Sequence, residues 1–166
     1  MKELYLDCEW FIGGELFLVG YCFERGKVFQ LHHASMTKKK FDAVLNKLVP
    51  SAKIYFYGPD IGVLEKYYDI EIRTRFFCVN LLQVFRQLMP RLKSYSLADI
   101  ERKFKVVRMR QEYKKNIFQI FNDWKSYKWR KFVLAYNYED VANLRTLKKL
   151  VFKKYTVRMG DLKRMR

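Results

Sequence analysis

Apolar residues in the first part of the chain come in short runs, some of them in alternation with polar residues, which is typical of β-strands. Three such runs cover residues 3–12, 15–23 and 28–33. Short turns that contain glycine separate them, as expected for hairpins. The pattern therefore predicts a three-stranded antiparallel meander at the start of the fold.

Helical spacing replaces this alternation after residue 36. Phe41, Val44, Leu45 and Leu48 recur at intervals of three and four, and Thr37 stands before them as a helix cap, with Pro50 as the stop. The remaining predicted elements are strands at residues 53–57 and 75–79 and helices beginning at Asp60, Asn80, Ser96 and Phe132. This order predicts an α/β fold with a mixed five-stranded sheet, three antiparallel strands then parallel strands, flanked by helices.

The length and composition indicate a packed globular protein. The chain has 166 residues, of which 50% are hydrophobic and 17% aromatic, so a sizeable core is expected. We expect one domain over residues 1–155, followed by an exposed basic C-terminal tail at residues 156–166.

Positive charge is concentrated in the second part of the chain. The formal net charge is +17, and residues 101–166 hold 20 of the 34 Lys and Arg side chains but only 6 of the 17 acidic ones. Such an excess repels itself unless it meets a polyanion. Nucleic acid is the favoured partner, with an anionic membrane surface as a more distant alternative.

The cysteines and the hydropathy of the chain indicate its cellular compartment. Cys8, Cys22 and Cys78 are widely spaced and odd in number, which argues against a disulfide framework or a zinc site. The longest mostly apolar stretch, residues 10–23, is interrupted by two glycines and a glutamate, so no membrane span is predicted. We expect a cytoplasmic protein that does not enter a membrane.

Carboxylates stand at the ends of several predicted elements. Asp7 and Glu9 share one face of the first strand, because residues i and i+2 point the same way. Asp60 directly follows the fourth strand, and Asp140 lies one helical turn after Tyr136. Taken singly, Asp60 fits a helix cap and Asp140 an exposed acidic residue.

Together, these segments resemble a known family. The segments are YLDCEW, YFYGPDIGVLEKY, YSLADIERKFKVVR and LAYNYEDVANLRTL, and their order is similar to that of the DEDD superfamily of 3′–5′ exonucleases in the tyrosine subclass. The branch they resemble most is the YprB-like group, which has a ribonuclease H-like fold. Two positions depart from that pattern: the second segment lacks an asparagine before its Asp, and Asn80 stands where the branch often has an acidic residue.

The resemblance implies a metal-dependent phosphodiester hydrolase. Asp7, Glu9, Asp60 and Asp140 would hold two Mg²⁺ or Mn²⁺ ions, since hard cations prefer carboxylate oxygen. Asp7 would bridge both ions, Glu9 and Asp140 would complete the tightly held one, and Asp60 would serve the second. Tyr136 would orient the attacking water. No histidine lies near this set, and we interpret His32 and His33 as structural or exposed.

Basic residues interleaved with aromatic ones suit a single strand, because cations follow the phosphates while rings stack on bases. The predicted nucleic-acid contacts are Trp10, Phe11, Lys114, Lys115, Trp124, Lys128, Trp129 and Arg130. Core packing is the alternative for these rings.

The sequence thus favours a 3′–5′ exonuclease on single-stranded DNA, with RNA as an alternative substrate. Two other readings stay open. One is a non-catalytic nucleic-acid-binding module of the same fold, and the other is a structure-selective endonuclease.

Overall fold

A computed structural model describes residues 1–111, 113 and 117–164. The strands are β1 (Glu3–Trp10), β2 (Leu16–Phe23), β3 (Phe29–His32), β4 (Lys53–Phe56) and β5 (Phe77–Asn80). The helices are α1 (Lys38–Leu45), α2 (Asp60–Tyr68), α3 (Ile72–Arg75), α4 (Leu81–Leu88), α5 (Leu97–Lys103), α6 (Ile117–Lys125), α7 (Arg130–Lys154) and α8 (Met159–Arg164). A short 3-10 turn at His33–Ser35 follows β3.

The five strands form one mixed sheet in the order β3-β2-β1-β4-β5. β2 pairs antiparallel with both β1 and β3, whereas β4 pairs parallel with β1 and β5. The predicted α/β fold, with antiparallel strands first and parallel strands after them, is confirmed. β1 is the central strand, and its residues Leu4, Tyr5, Leu6 and Cys8 are buried.

Alternation along β1 sends its residues into two different cores. Leu4, Leu6 and Cys8 pack in the core that includes residues of α1 and α2. Tyr5 packs on the other face, in the core that α4 and α7 cover. Asp7 therefore lies on the α7 side of the sheet, where the Asn137 side chain of α7 contacts it.

Local capping chemistry explains where several helices begin. The Thr37 hydroxyl accepts a hydrogen bond from the backbone N–H of Lys40, and the Ser96 hydroxyl accepts one from Asp99. Both predicted caps are confirmed. The helix after Thr37 ends at Leu45, earlier than Pro50, because residues 46–48 leave the helix as a turn.

The last part of the chain packs back onto the domain. α7 begins at Arg130, two residues before the predicted start, and runs for 25 residues. The predicted exposed tail contains α8, whose Leu162 is buried among the apolar side chains on the α7 face of the sheet. Burial of this leucine holds the segment against the domain. Arg158 nevertheless stays exposed.

None of the helices within the described ranges combines the length and apolar character that crossing a bilayer requires.

Candidate metal centre

Three carboxylates from two elements converge at the carboxyl end of β1. Asp7 and Glu9 lie on this strand, and Asp140 lies on α7, which crosses the sheet above them. One oxygen from each of the three lies within 4.8 Å of the others. Asp7 and Glu9 are partly exposed, whereas Asp140 is buried. Sites of this kind bind hard divalent cations, which prefer carboxylate oxygen ligands.

Asp60 borders this group but stands outside its tightest set. It is the first residue of α2, separated from β4 by residues 57–59, and only 2% of it is exposed. Its Oδ2 has no hydrogen-bond partner among the described residues, and the backbone of Tyr57 donates to the carboxylate. A buried carboxylate oxygen without a protein partner is rare in folded proteins, and an ion or an ordered water can satisfy it.

Burial and mutual repulsion raise the pKa values of these carboxyl groups. Burial, followed by the charges of Asp140, Glu9 and Asp60, raises the pKa of Asp7 well above its ordinary value. The pKa of Glu9 and that of Asp60 are also raised well above theirs, chiefly by burial and then by the neighbouring carboxylates. The pKa of Asp140 rises to about 6 through burial, which outweighs the opposing effect of Arg108. A bound divalent cation would offset this repulsion.

Asn137 is a site residue that the sequence reading did not single out. It is fully buried on α7, and its Nδ2 donates to Asp7 Oδ2 at 2.8 Å, while its Oδ1 accepts from Gln30 Nε2 at 2.9 Å. Gly20 lies opposite Asp7 in the β1–β2 register and leaves the space that Asn137 fills. The signal was present, since Asn137 follows Tyr136 in the fourth family-like segment.

Arg108 also enters the site without having been predicted. Its guanidinium donates to both carboxylate oxygens of Glu101 and to Asp140 Oδ1, and all three side chains are buried. Asn143 on α7 donates to Glu101 Oε1 at 2.9 Å. Glu101 and Arg108 both lie in the third family-like segment, but their spacing alone did not indicate a contact with Asp140.

Tyr136 lies where the sequence placed it, one turn before Asp140. Its hydrogen bond to Asp140 lowers the pKa of that carboxyl. Burial, with the nearby Asp140 charge, raises the pKa of the Tyr136 hydroxyl, so this hydroxyl keeps its proton at neutral pH. The ring contacts the Arg108 guanidinium at 5.2 Å and the Tyr113 ring at 5.3 Å. Tyr136 is therefore a proton donor at the edge of the acidic group.

Asn80, which stands where the YprB-like branch often has an acidic residue, has a structural role. Its Nδ2 donates to the Gly58 carbonyl oxygen at 2.8 Å, and its Oδ1 accepts from the Gly58 backbone N–H at 3.1 Å. This paired contact fixes the turn that leads into Asp60. An aspartate there would lose the donor and face the Gly58 oxygen.

The predicted nucleic-acid contacts fall into two groups. Trp10 packs against the core of the α1 and α2 face, Phe11 against Phe17 and Phe121, and Trp124 is 94% covered between Phe17 and His33. Trp124 is therefore a core ring, whereas Trp10 and Phe11 stay partly exposed. His33 is exposed and stacks on Trp124.

The second group is at the surface. Trp129 is 44% exposed, and the Lys128 ammonium lies 4.8 Å from the centre of its ring. Arg130 is half-buried, and its Nε donates to the Trp124 carbonyl oxygen. Lys114 and Lys115 lie outside the described residues. Trp129 and Lys128 therefore keep surface that a nucleic acid can reach.

Removal of the Asp7 charge tests whether the four carboxylates of the site repel one another. In metal-free protein at pH 8, we expect Asp7→Asn to raise the melting temperature by about 3 °C, since about 1 kcal/mol shifts it by 2–4 °C at this size. A carboxyl whose pKa is raised on folding lowers stability as the pH rises above its ordinary pKa, so the gain should shrink toward pH 4, where the folded-state carboxyl is protonated and the unfolded-state one is partly protonated. Thermal unfolding in EDTA from pH 4 to pH 8 measures it.

The matched control for this prediction is Glu15→Gln, which neutralises an exposed carboxylate in the β1–β2 turn. We expect no pH-dependent gain from it. With Mn²⁺ added, the order should reverse, because ligand binding stabilises the folded wild type more than the variant. If the Asp7→Asn protein is less stable than wild type in EDTA at pH 8, the expected repulsion among the carboxylates is contradicted.

Comparisons with known proteins agree with this architecture. The chain superposes on a solved structure described as "apo form of the nuclease" with a TM-score of 0.75 and 17% identity, over 99% of this chain and 77% of that one. At this identity the likeness shows the fold. No curated protein sequence matches the chain. The family model of the RNase_H superfamily matches residues 4–152, which include all four carboxylates of the site. The chain therefore belongs to the ribonuclease H superfamily.

Proposed function

We propose that this protein is a divalent-metal-dependent nuclease that degrades single-stranded nucleic acid from the 3′ end, with DNA as the favoured substrate and RNA as the alternative. The observation that carries the proposal is that Asp7 and Glu9 on the central strand and Asp140 on α7 converge within 4.8 Å in a ribonuclease H superfamily fold. The solved structure with the same fold is itself described as a nuclease. The exonuclease direction rests on the resemblance to the tyrosine subclass of DEDD enzymes.

The residues present fit Mg²⁺ or Mn²⁺. Asp7, Glu9 and Asp140 offer oxygen ligands at mutually close positions, and the unpartnered Oδ2 of Asp60 points to a further ligand contact. We propose that these four carboxylates hold two ions, with Asp60 serving the second. When bound, such ions stabilise negative charge on the attacking and leaving oxygens of a phosphodiester.

The chain's own residues prepare this site in three ways. Asn137 fixes the orientation of Asp7 through its hydrogen bond to Oδ2. Asn80 fixes the Gly58 turn before Asp60. The Tyr136 hydroxyl keeps its proton and lies beside Asp140, and we propose that it orients the water that attacks the phosphodiester.

The surface around the start of α7 supports a single-stranded substrate. Tyr127 is 92% exposed, and Trp129 is also exposed beside Lys128, so rings and cations alternate within three residues. A flexible strand can stack its bases on such rings while its phosphates meet the cations. The net charge of +17 adds general attraction to phosphate.

A cytoplasmic location forms part of the proposal. Cys8, Cys22 and Cys78 are all free thiols, which suits a reducing compartment.

Two alternative functions use the same fold. A binding module without catalysis would retain the basic and aromatic surface, yet the retained carboxylates and the orphaned Asp60 oxygen disfavour it. An endonuclease would use the same ions on internal bonds.

One assay separates these readings. Single-stranded DNA and RNA oligonucleotides labelled at the 5′ or the 3′ end are incubated with the protein and Mg²⁺ or Mn²⁺, with EDTA as the control. The proposal expects a ladder from the 5′ label and mononucleotide from the 3′ label, both abolished by EDTA. Cutting of circular single strands would instead show an endonuclease. If no metal-dependent loss of the labelled oligonucleotide occurs, the proposal that the protein is a nuclease is overturned.

A further inference from the structure

Arg108 lies in a segment that α7 holds in place through its backbone. The Glu139 carboxylate accepts hydrogen bonds from the backbone N–H groups of Met109 and Arg110 at 2.6 and 2.8 Å. Asn143 donates to the Val107 carbonyl oxygen at 3.2 Å. These contacts fix residues 107–110 against α7 without using the Arg108 side chain. That side chain is therefore not needed to attach the segment.

The Arg108 side chain instead joins two buried carboxylates. Nη2 donates to Glu101 Oε1 at 2.7 Å, Nε donates to Glu101 Oε2, and Nη2 also donates to Asp140 Oδ1. The Arg108 side chain is 5% exposed, and Asn143 in turn fixes Glu101. Glu101 offsets part of the guanidinium charge that Asp140 experiences. Beyond its charge, Arg108 orients Asp140 through a donor of fixed planar geometry.

The same guanidinium touches the other catalytic side chain of α7. Its central carbon lies 5.2 Å from the centre of the Tyr136 ring, on the turn that precedes Asp140. Arg108 is thus in contact with a proposed metal ligand and with the residue proposed to orient the water.

We propose that Arg108 is a positioning residue that fixes Asp140 and Tyr136 in the orientation needed to bind a divalent cation. The inference rests on the proposed function, since Asp140 must be a ligand for its orientation to matter. Replacing a residue that hydrogen-bonds to a metal ligand typically lowers metal affinity or activity by about 10–100-fold. The competing reading is that Arg108 occupies the cation's place, in which case its removal would strengthen metal binding.

Arg108→Lys distinguishes the two. Lysine keeps the charge, but its single ammonium cannot reproduce the two parallel hydrogen bonds to Glu101 together with the one to Asp140. We expect the dissociation constant for Mn²⁺, measured by calorimetric titration without nucleic acid, to rise about 10-fold or more. We also expect kcat to fall by a similar factor while KM for the oligonucleotide stays unchanged, because Arg108 acts through Asp140.

Arg145→Lys is the matched control. It makes the same substitution on α7, where the guanidinium donates to the Phe23 and Gly26 carbonyl oxygens in the turn after β2. It should leave the Mn²⁺ affinity as in wild type. If Arg108→Lys fails to fold, Glu101→Gln is measured instead. It weakens the hydrogen bonds to Arg108 and keeps the shape of the side chain at residue 101. It too should weaken Mn²⁺ binding.

The results separate the two hypotheses. If wild type binds Mn²⁺ and Asp7→Asn does not, the proposed metal site stands. Equal or tighter Mn²⁺ binding by the folded variant, Arg108→Lys or else Glu101→Gln, would then overturn the positioning role alone. If wild type binds no Mn²⁺, the proposed function itself fails.

Discussion

The Asp7→Asn protein is expected to cleave single-stranded oligonucleotide at least about 10³-fold more slowly than wild type. Metal ions contribute several kcal/mol of charge stabilisation in such reactions, and each 1.36 kcal/mol is a factor of ten in rate. The charge of Asp7 interacts with those of Asp140, Glu9 and Asp60, so its loss affects the whole group. Asp140→Asn should have an effect of similar size, because Asp140 is the only α7 member of the triad.

The fold should survive this change, so the loss can be assigned to chemistry. Asparagine has nearly the same shape, and its amide oxygen can still accept the hydrogen bond from Asn137 Nδ2. We expect binding of the oligonucleotide, measured by fluorescence anisotropy in EDTA, to stay within about twofold of wild type, since binding depends mainly on phosphate contacts elsewhere. Glu15→Gln, which removes an exposed charge in the β1–β2 turn, should retain full activity. Cleavage by Asp7→Asn at the wild-type rate would show that the active centre lies elsewhere.

Much of this site could be predicted because local patterns encode it. Alternation along β1 places Asp7 and Glu9 on one face, and the four-residue spacing places Tyr136 beside Asp140 on α7. The position of Asp60 at the end of a parallel strand brings it to the same edge of the sheet as the end of β1. Each of these inferences needs only the geometry of one element and the strand order.

The residues that were missed depend on contacts between distant elements. Arg108 reaches Asp140 across 32 positions, and Asn137 reaches Asp7 across 130. No period of the sequence indicates such a contact. The aromatic residues show the same limit, because a ring beside cations can be buried, as Trp124 is, or exposed, as Trp129 is. Only the packing of α6 and α7 against β2 decides which.

Among the glycines, Gly20 leaves the least room for a side chain, and Gly20→Ala is expected to lower the free energy of unfolding by about 3 kcal/mol. A Cβ atom at residue 20 would lie 2.2 Å from Asn137 Oδ1 and 2.8 Å from Val141 Cγ2, both closer than packed atoms approach. α7 would have to move away from β2, or Asn137 would have to turn and lose its bonds to Asp7 and Gln30. At this chain length, a loss of 3 kcal/mol corresponds to a melting temperature lower by about 6–12 °C.

A matched alanine and a double variant make this prediction specific. Gly13→Ala, in the exposed β1–β2 turn where a new Cβ meets nothing within 4 Å, should change stability by less than about 0.5 kcal/mol. In urea unfolding, Gly20→Ala combined with Asn137→Ala should cost less than the sum of the two single changes, because the second removes the atom that the first strikes. Additive losses would mean that Gly20 and Asn137 act independently. In that case, the absence of a side chain at residue 20 would not be what allows α7 to bring Asn137 against Asp7.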